Sequence, residues 1–236
     1  MHAVEAHNLT KTFGTRMAVD DVTFDLPEGS FLSVFGSNGA GKTTLLRLLS
    51  TLTRPSGGYA CILGIDIKEE PDEARKHIGF ISHDAMLYPD LTAEENLAFY
   101  GELYGVSNPK ARARELLDAV GLDYRRLDYV RTFSRGMTQR VSIARALVHD
   151  PAVVLLDEPY SGLDPHAVEV FDDLVASMRN ERTFIMVSHD LRKGLSLCTH
   201  ALVLAKGKVV SFGEKGELDE AAFVDLYRET VGRGVA

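Results

Sequence analysis

The chain has 236 residues, of which 45% are apolar and 25% charged, so it can bury a sizeable core in one large domain or two small ones. Its net charge of −8 argues against a nucleic-acid binder, and its only cysteines, Cys61 and Cys198, exclude a disulfide framework and predict buried thiols in a reducing compartment. No signal-peptide pattern opens the chain and its apolar runs are far too short to span a bilayer, so we expect any membrane attachment to go through another chain.

The hydrophobic pattern predicts alternating strands and helices. Residues 17–26 place Met17, Val19, Val22, Phe24 and Leu26 on one sheet face if one bulge is allowed. Strands are predicted at 3–9, 17–26, 31–35, 59–63, 78–82, 152–156, 182–187, 200–205 and 207–212, and helices follow residue 44 and cover 165–179 and 219–230. This order is typical of a parallel sheet that helices cover on both faces.

The middle of the chain is different, because three helices follow one another there. Thr92 to Glu95 form a capping box that predicts a helix from about 93 to 104. Pro109 opens a second helix that ends before Gly121, and a third runs from Gly136 to about His149. We interpret 85–148 as a helical insertion in one α/β domain that spans 1–236.

A glycine-rich run lies between a predicted buried strand and a predicted helix. The run is Gly36-Ser37-Asn38-Gly39-Ala40-Gly41-Lys42-Thr43-Thr44, which fits the phosphate-binding P-loop pattern. Its glycines allow successive N–H groups to face one anion, and the helix N-terminus adds positive charge. Lys42 is then expected to reach the β- and γ-phosphates and the Thr43 hydroxyl to hold Mg²⁺. An ordinary glycine turn is the weaker alternative.

Two further strand ends carry polar residues. Asp157 and Glu158 end a run of five apolar residues, where Asp157 is expected to orient Mg²⁺ and Glu158 to act as general base for the attacking water. His189 follows the strand at 182–187 and can reach a γ-phosphate from the same sheet edge. The alternatives are a solvated acidic turn and a structural histidine.

A second possible anion site lies at the start of the third inserted helix. Ser134 is a good N-cap, and Gly136 leaves the backbone bare in the first turn. By themselves these residues fit an ordinary capped surface helix at least as well.

Taken in order, these motifs resemble the nucleotide-binding subunit of an ABC transporter over essentially the whole chain. Residues 36–43 match its Walker A motif and 156–159 its Walker B motif with the catalytic glutamate. Residues 161–164, ending in Asp164, match the D-loop, His189 the switch histidine, and 133–137 the signature. Phe13 occupies the place of the aromatic that stacks on adenine, with core packing as the alternative. The resemblance implies a P-loop NTPase (RecA-like) core with a mainly parallel sheet, an N-terminal antiparallel β subdomain and an inserted α-helical signature subdomain.

The chain departs from the family pattern in two places. Its signature has Phe133, Arg135 and Met137 at three of five positions, a form that resembles exporters with a separate membrane subunit. The glutamine that senses the γ-phosphate is missing; His83 stands there, followed by Asp84, and either is expected to take part in binding Mg²⁺. With His83 in this position, hydrolysis should persist but depend on pH near neutrality.

The resemblance implies an ATPase, with ATP and Mg²⁺, in which two subunits sandwich two ATP molecules. Each site would join one P-loop to Ser134 and Gly136 of the other subunit, in a homodimer or a heterodimer with another ABC ATPase. The implied partner is an integral membrane permease, contacted near 83–90 and the insertion. No nucleic acid is expected, and the location would be peripheral, on the cytoplasmic face of the inner membrane.

Several local sequences, among them 91–97, are similar to the ATPase subunit of haem exporters for cytochrome c maturation, which suggests haem as a cargo. Two other functions stay open. One is a soluble ABC-type ATPase without a transporter, and the other is a nucleotide-gated regulatory module that does not hydrolyse ATP.

Overall fold

The computed structural model describes residues 1–82, 84–179, 181–217 and 220–232. The strands in these ranges are β1 (His2–Phe13), β2 (Arg16–Pro27), β3 (Phe31–Phe35), β4 (Gly57–Ile62), β5 (Ile65–Asp66), β6 (Ile78–Ile81), β7 (Val153–Asp157), β8 (Thr183–Val187), β9 (His200–Ala205) and β10 (Lys208–Glu214). The helices are α1 (Lys42–Leu49), α2 (Pro71–Arg75), α3 (Ala93–Leu103), α4 (Pro109–Ala119), α5 (Arg135–Ala146), α6 (Pro165–Met178), α7 (Leu191–Leu197) and α8 (Glu220–Gly232). None of them is long and apolar enough to cross a membrane.

The strands form two sheets. One has four strands in the order β2-β1-β4-β5, and its pairs are antiparallel. The other has six strands in the order β10-β9-β3-β8-β7-β6, parallel except for β10. The expected fold class, a mainly parallel P-loop NTPase core with an antiparallel β subdomain and a helical insertion, is therefore confirmed.

Burial explains the two kinds of strand. Every residue of β3, β7 and β8 is buried, as expected for central parallel strands covered on both faces. In β2, Val19 and Val22 point into the core, and the positive φ of 57° at Asp21 marks the irregularity between them. Met17 keeps the alternation of Val19 but is 48% exposed, because the hairpin end projects past the core.

The insertion is helical, as predicted. The Thr92 hydroxyl accepts from the Glu95 N–H (3.1 Å), and a Glu95 carboxylate oxygen accepts from the Thr92 N–H (2.8 Å), which completes the capping box of α3. Gly121, with φ of 65°, follows α4. Helix α5 buries Val141 and Ala144 in the core that β7 and β8 also line, so the insertion is packed onto the main sheet.

The sequence did not predict three short elements, α2, β5 and α7, because elements of so few residues show no clear hydrophobic period. Helix α7 begins at an N-cap, where an Asp190 carboxylate oxygen accepts from the Lys193 N–H (3.0 Å).

The prediction of two buried thiols is half wrong. Cys198 is buried, but Cys61 is half-buried, since it lies on the outer face of the four-stranded sheet.

Candidate functional site

Two glycines of the P-loop lie so close to other backbone segments that they leave no room for a side chain. Gly36 has φ of 153°, and a Cβ there would lie 2.3 Å from the Leu204 carbonyl oxygen. Gly41 has φ of 108°, and its Cβ would lie 2.3 Å from the carbonyl oxygen of Ala18. Only glycine fits either position. No side chain caps α1, so its first N–H groups remain available to an anion.

Lys42 lies across the loop that precedes it. Its ammonium group donates to the carbonyl oxygens of Gly36 (2.7 Å) and Ser37 (3.0 Å), and the residue is only 6% exposed. Burial lowers the pKa of Lys42, whereas Glu158 and then Asp157 act in the opposite direction. The two carboxylates thus help to keep a buried cation charged at the mouth of the loop.

Asp157 ends β7 beside the start of α1. The Thr43 hydroxyl donates to its Oδ1 at 3.2 Å, and Asp157 is buried. A hydroxyl oxygen and a carboxylate oxygen are the hard donors that Mg²⁺ prefers, so this pair fits the ion expected with ATP. Of the two other candidate ligands, Asp84 is exposed and does not line the cleft described below, and His83 lies outside the described residues.

Glu158 has a strained backbone, with a φ of 53° that non-glycine residues rarely adopt. Its N–H donates to the Val187 carbonyl oxygen (3.1 Å), which fixes it to β8. The His189 N–H donates to Glu158 Oε2 (3.3 Å), and His189 Nε2 lies 3.2 Å from Oε1. The pKa of Glu158 is raised, chiefly by burial, and His189 and then Lys42 oppose the rise. A carboxylate with a raised pKa suits a general base.

These groups converge on one cleft of about 420 Å³. It is lined by Phe13, Arg16, Ala18, Asn38, Gly39, Ala40, Gly41, Lys42, Thr43, Thr44, Glu158, Val187 and His189. Gly36 and Ser37 do not line the cleft, but their carbonyl oxygens accept hydrogen bonds from the Lys42 ammonium group and so hold it in the loop. Phe13 is 52% exposed at the rim, so its ring is available to stack on a planar base and is not a core residue.

Sequence reasoning missed Val187 at the end of β8 and two residues of the β1–β2 hairpin, Arg16 and Ala18, among those that line this cleft. A Cβ at Gly39 would lie 3.4 Å from an Arg16 guanidinium nitrogen, so Arg16 stands over the loop. The β1–β2 hairpin brings both residues there from a distant part of the chain, and no local motif marks them.

The second group of predicted residues lies outside this cleft. The exposed Ser134 accepts from the Met137 N–H (3.2 Å) and caps α5. Asp164 caps α6 by accepting from the Ala167 N–H (2.8 Å), and its other oxygen would lie 3.2 Å from a Cβ at Gly136. Ser134, Gly136 and Asp164 therefore lie close together at the starts of α5 and α6, and none of them lines the P-loop cleft of the same chain.

The residue between Ser134 and Gly136 adds a contact that the sequence did not reveal. The guanidinium of Arg135 packs against Gly162, where a Cβ would lie 2.4 Å from its Nε. Arg135 and Glu158 both line a second cleft of about 320 Å³ beside the start of α5. The signature segment is thus in contact with the loop that follows Glu158.

Comparison with known proteins agrees with this geometry. A family model described as ABC transporter matches residues 19–161. The linearmycin resistance ATP-binding protein LnrL of Bacillus subtilis is 34% identical over 218 residues, which cover 91% of this chain and 70% of that protein. The daunorubicin/doxorubicin resistance ATP-binding protein DrrA of Streptomyces peucetius is 36% identical over 229 residues, which cover 96% of this chain and 69% of that protein.

Solved structures give the same result. A dimeric post-hydrolysis state of the ATP-binding cassette MJ0796, bound to ADP and Pi, superposes with a TM-score of 0.82 at 28% identity and covers 90% of this chain and 98% of that one. An ATP-binding subunit of an ABC transporter superposes with a TM-score of 0.88, also at 28% identity, and covers 97% and 99% of the two chains.

Replacing Glu158 with glutamine tests the general-base assignment. Glu158→Gln should retain ATP binding, because Lys42 and the loop amides are unchanged, and should lower hydrolysis by about 10²–10⁴-fold, because an amide cannot accept the proton. Nucleotide binding and phosphate release are measured together, with Glu181→Gln as the matched control. Near-parental phosphate release from Glu158→Gln would contradict the assignment.

The pKa of Glu158 leads to a prediction about pH. Hydrolysis needs the ionised carboxylate, so activity should fall as the pH drops through its raised pKa. His189 opposes that rise, so His189→Gln should move the acid limb of the residual activity to higher pH. Profiles normalised to their maxima are compared with those of the parent and His77→Gln.

The variant His83→Gln tests separately the dependence on pH that the sequence predicts for a histidine at this position. If the activity of His189→Gln falls at the same pH as that of the parent, or at a lower pH, His189 does not act on the Glu158 carboxylate.

Proposed function

The chain belongs to the ABC transporter family, binds ATP and hydrolyses it, and from this premise we propose that it energises export through a separate membrane permease. The observation that carries the proposal is the Glu158 site. A half-buried carboxylate with a strained backbone faces the P-loop cleft, accepts from the His189 N–H and lies 3.2 Å from the His189 ring. This arrangement favours turnover over the alternative of a nucleotide-gated module that does not hydrolyse ATP.

The residues of the cleft divide the work of hydrolysis among them. The loop amides and Lys42 bind the β- and γ-phosphates, and the exposed ring of Phe13 stacks on adenine. Thr43 and Asp157 would hold Mg²⁺, which neutralises phosphate charge when bound. Glu158 accepts a proton from the attacking water, and His189 orients this carboxylate and donates toward the γ-phosphate oxygens.

The separation of the two phosphate-binding surfaces supports a dimer. The helix start at Ser134 and Gly136 lies outside the chain's own P-loop cleft, so the nucleotide that it serves is proposed to belong to a second subunit. The cassette MJ0796 is dimeric in a solved structure of the same fold. The second subunit is another copy of this chain or a related ATPase.

A permease is proposed to dock beside the segment that follows β6. The Tyr88 ring is 48% exposed, although its backbone is fixed to α3: Tyr88 N–H donates to Asn96 Oδ1 (2.8 Å), and Asn96 Nδ2 donates to the Tyr88 carbonyl oxygen (2.9 Å). A groove of about 110 Å³ lies nearby, lined in part by Tyr100 and Tyr104. Because the segment is tied to α3, a push on Tyr88 would move the whole insertion. This docking would place the chain peripherally on the cytoplasmic face of the membrane.

Two of the relatives are named for drug resistance. LnrL and DrrA are named for resistance to linearmycin and to daunorubicin and doxorubicin. Neither name mentions haem, and the haem-exporter resemblance rests on short local sequences. We therefore propose a small-molecule drug of the kind in those names as the exported cargo, rather than haem for cytochrome c maturation.

Mixing two inactive variants tests the ATP sandwich. Lys42→Ala should lose phosphate binding, and Ser134→Arg should keep nucleotide binding but lose hydrolysis. In a mixed dimer one composite site carries both defects and the other carries none, so an equimolar mixture should recover up to about a quarter of parental activity if pairing is random. Normal hydrolysis by Ser134→Arg alone would show that the helix start does not serve the nucleotide.

The cargo is tested in the host with the chromosomal variant Glu158→Gln. We expect increased sensitivity to doxorubicin or linearmycin, with the content of c-type cytochromes unchanged, and Glu181→Gln as the control. Unchanged drug sensitivity combined with a loss of c-type cytochromes would overturn the proposed cargo and restore haem.

A further inference from the structure

The outer face of the four-stranded sheet carries a row of polar side chains that the nucleotide site does not use. In β1, Val4 and Ala6 point into the core, which leaves Glu5 and His7 on the outer face. Glu5 is paired with Asp25 of β2 on one side and with Cys61 of β4 on the other. Glu5 lies eight residues before Phe13 on the same strand, about 26 Å from the rim of the cleft.

Two carboxylates directly opposite each other on one sheet face repel, and the groups near them are the imidazoles of His2 and His7, which neutralise them only when protonated. Asp25 Oδ1 is shielded from solvent and accepts no hydrogen bond. His7 Nε2 lies 3.2 Å from it, but not in the direction of a hydrogen bond. The Asp25 side chain is still 40% exposed and that of Glu5 34%, so a cation can reach both carboxylates from solvent.

A histidine completes the cluster. One ligand atom each from His2, Glu5 and Asp25 lies within 4.8 Å of the other two, so a single ion can touch all three. His2 Nδ1 lies 3.9 Å from Glu5 Oε1. No other group of three or more such ligands is this close in the described part of the chain.

We propose that His2, Glu5 and Asp25 bind a divalent transition metal ion of the zinc class. Imidazole nitrogen and carboxylate oxygen are both ligand types that zinc takes, and water would fill the fourth position beside three protein ligands. Imidazole nitrogen is a poor ligand for Mg²⁺, which favours oxygen, so the site selects against the ion used with ATP. The metal joins β1 to β2 at the end of the hairpin opposite the P-loop.

Two other side chains lie next to these three. The His7 ring is stacked on Tyr59, with centroids 4.9 Å apart, and its Nε2 lies 3.2 Å from Asp25 Oδ1, so a second imidazole borders the cluster. Cys61 is close but is not assigned as a ligand. Its thiol does not belong to the group of ligand atoms that all lie within 4.8 Å of one another.

The test uses tag-free, metal-stripped protein without nucleotide and with excess Mg²⁺, so that the Thr43 and Asp157 pair does not compete for zinc. Zn²⁺ is titrated by calorimetry, and the melting temperature is followed in parallel, since a ligand that binds only the folded state raises it. We expect about one zinc ion per chain, with a rise in melting temperature that Mg²⁺ alone does not produce.

Variants distinguish specific binding of zinc by these three side chains from weak attraction to an acidic surface. His2→Gln and the nearly isosteric Asp25→Asn should each weaken zinc binding by about tenfold or more. The matched controls His77→Gln and Cys61→Ser should bind zinc like the parent. Retained ATP binding by each variant shows that it is folded.

Three results would overturn the proposal: no zinc binding by the parent, equal effects of Mg²⁺ and Zn²⁺, or parental affinity in both His2→Gln and Asp25→Asn. Loss of binding in Cys61→Ser would overturn the assigned ligands. None of these measurements depends on ATP hydrolysis or on transport.

Discussion

The close approach of two backbone segments to the P-loop is the constraint on which the site depends. The carbonyl oxygens of Leu204 and Ala18 stand where a Cβ of Gly36 or Gly41 would be. One belongs to β9 of the main sheet and the other to β2 of the antiparallel sheet. The loop is therefore held between the two sheets, and its amides are fixed before any phosphate arrives. Preorganised N–H groups of this kind bind an anion without a further cost in ordering.

The parallel sheet then brings the remaining groups to the loop. Strands β7 and β8 are hydrogen-bonded neighbours, so Asp157 and His189, at or just beyond their carboxyl ends, meet at one edge. Glu158 takes a strained turn at this edge and is anchored to Val187. The strain, the burial that raises its pKa and the contact with His189 all result from the same strand pairing. A change that loosened the pairing would alter binding and catalysis together.

The two sheets carry different chemistry. The main sheet directs hydroxyl, carboxylate and ammonium groups at a phosphate, where hard oxygen ligands suit Mg²⁺. The outer face of the antiparallel sheet combines imidazole with carboxylates, which suits a softer ion. Strand β1 runs between these regions, with Glu5 near one end and Phe13 near the other. The proposed metal would therefore stiffen the strand that carries the exposed Phe13 ring at the rim of the cleft.

The sequence by itself determined the parts of this protein that depend on neighbours along the chain. The P-loop, the capping box at Thr92, the glycine after α4 and the two carboxylates at the end of β7 are local patterns, and each forms where it was predicted. Only the tertiary structure decided which distant residues share a surface. Arg16 reaches the cleft through a hairpin, and Arg135 packs on Gly162, because strand register and helix packing place them there. The same reason explains the errors: Met17 follows the alternation of β2 but lies beyond the core, and Cys61 occupies an apolar stretch yet faces outward. Periodicity fixes which side chains share a face, whereas burial depends on what packs against that face.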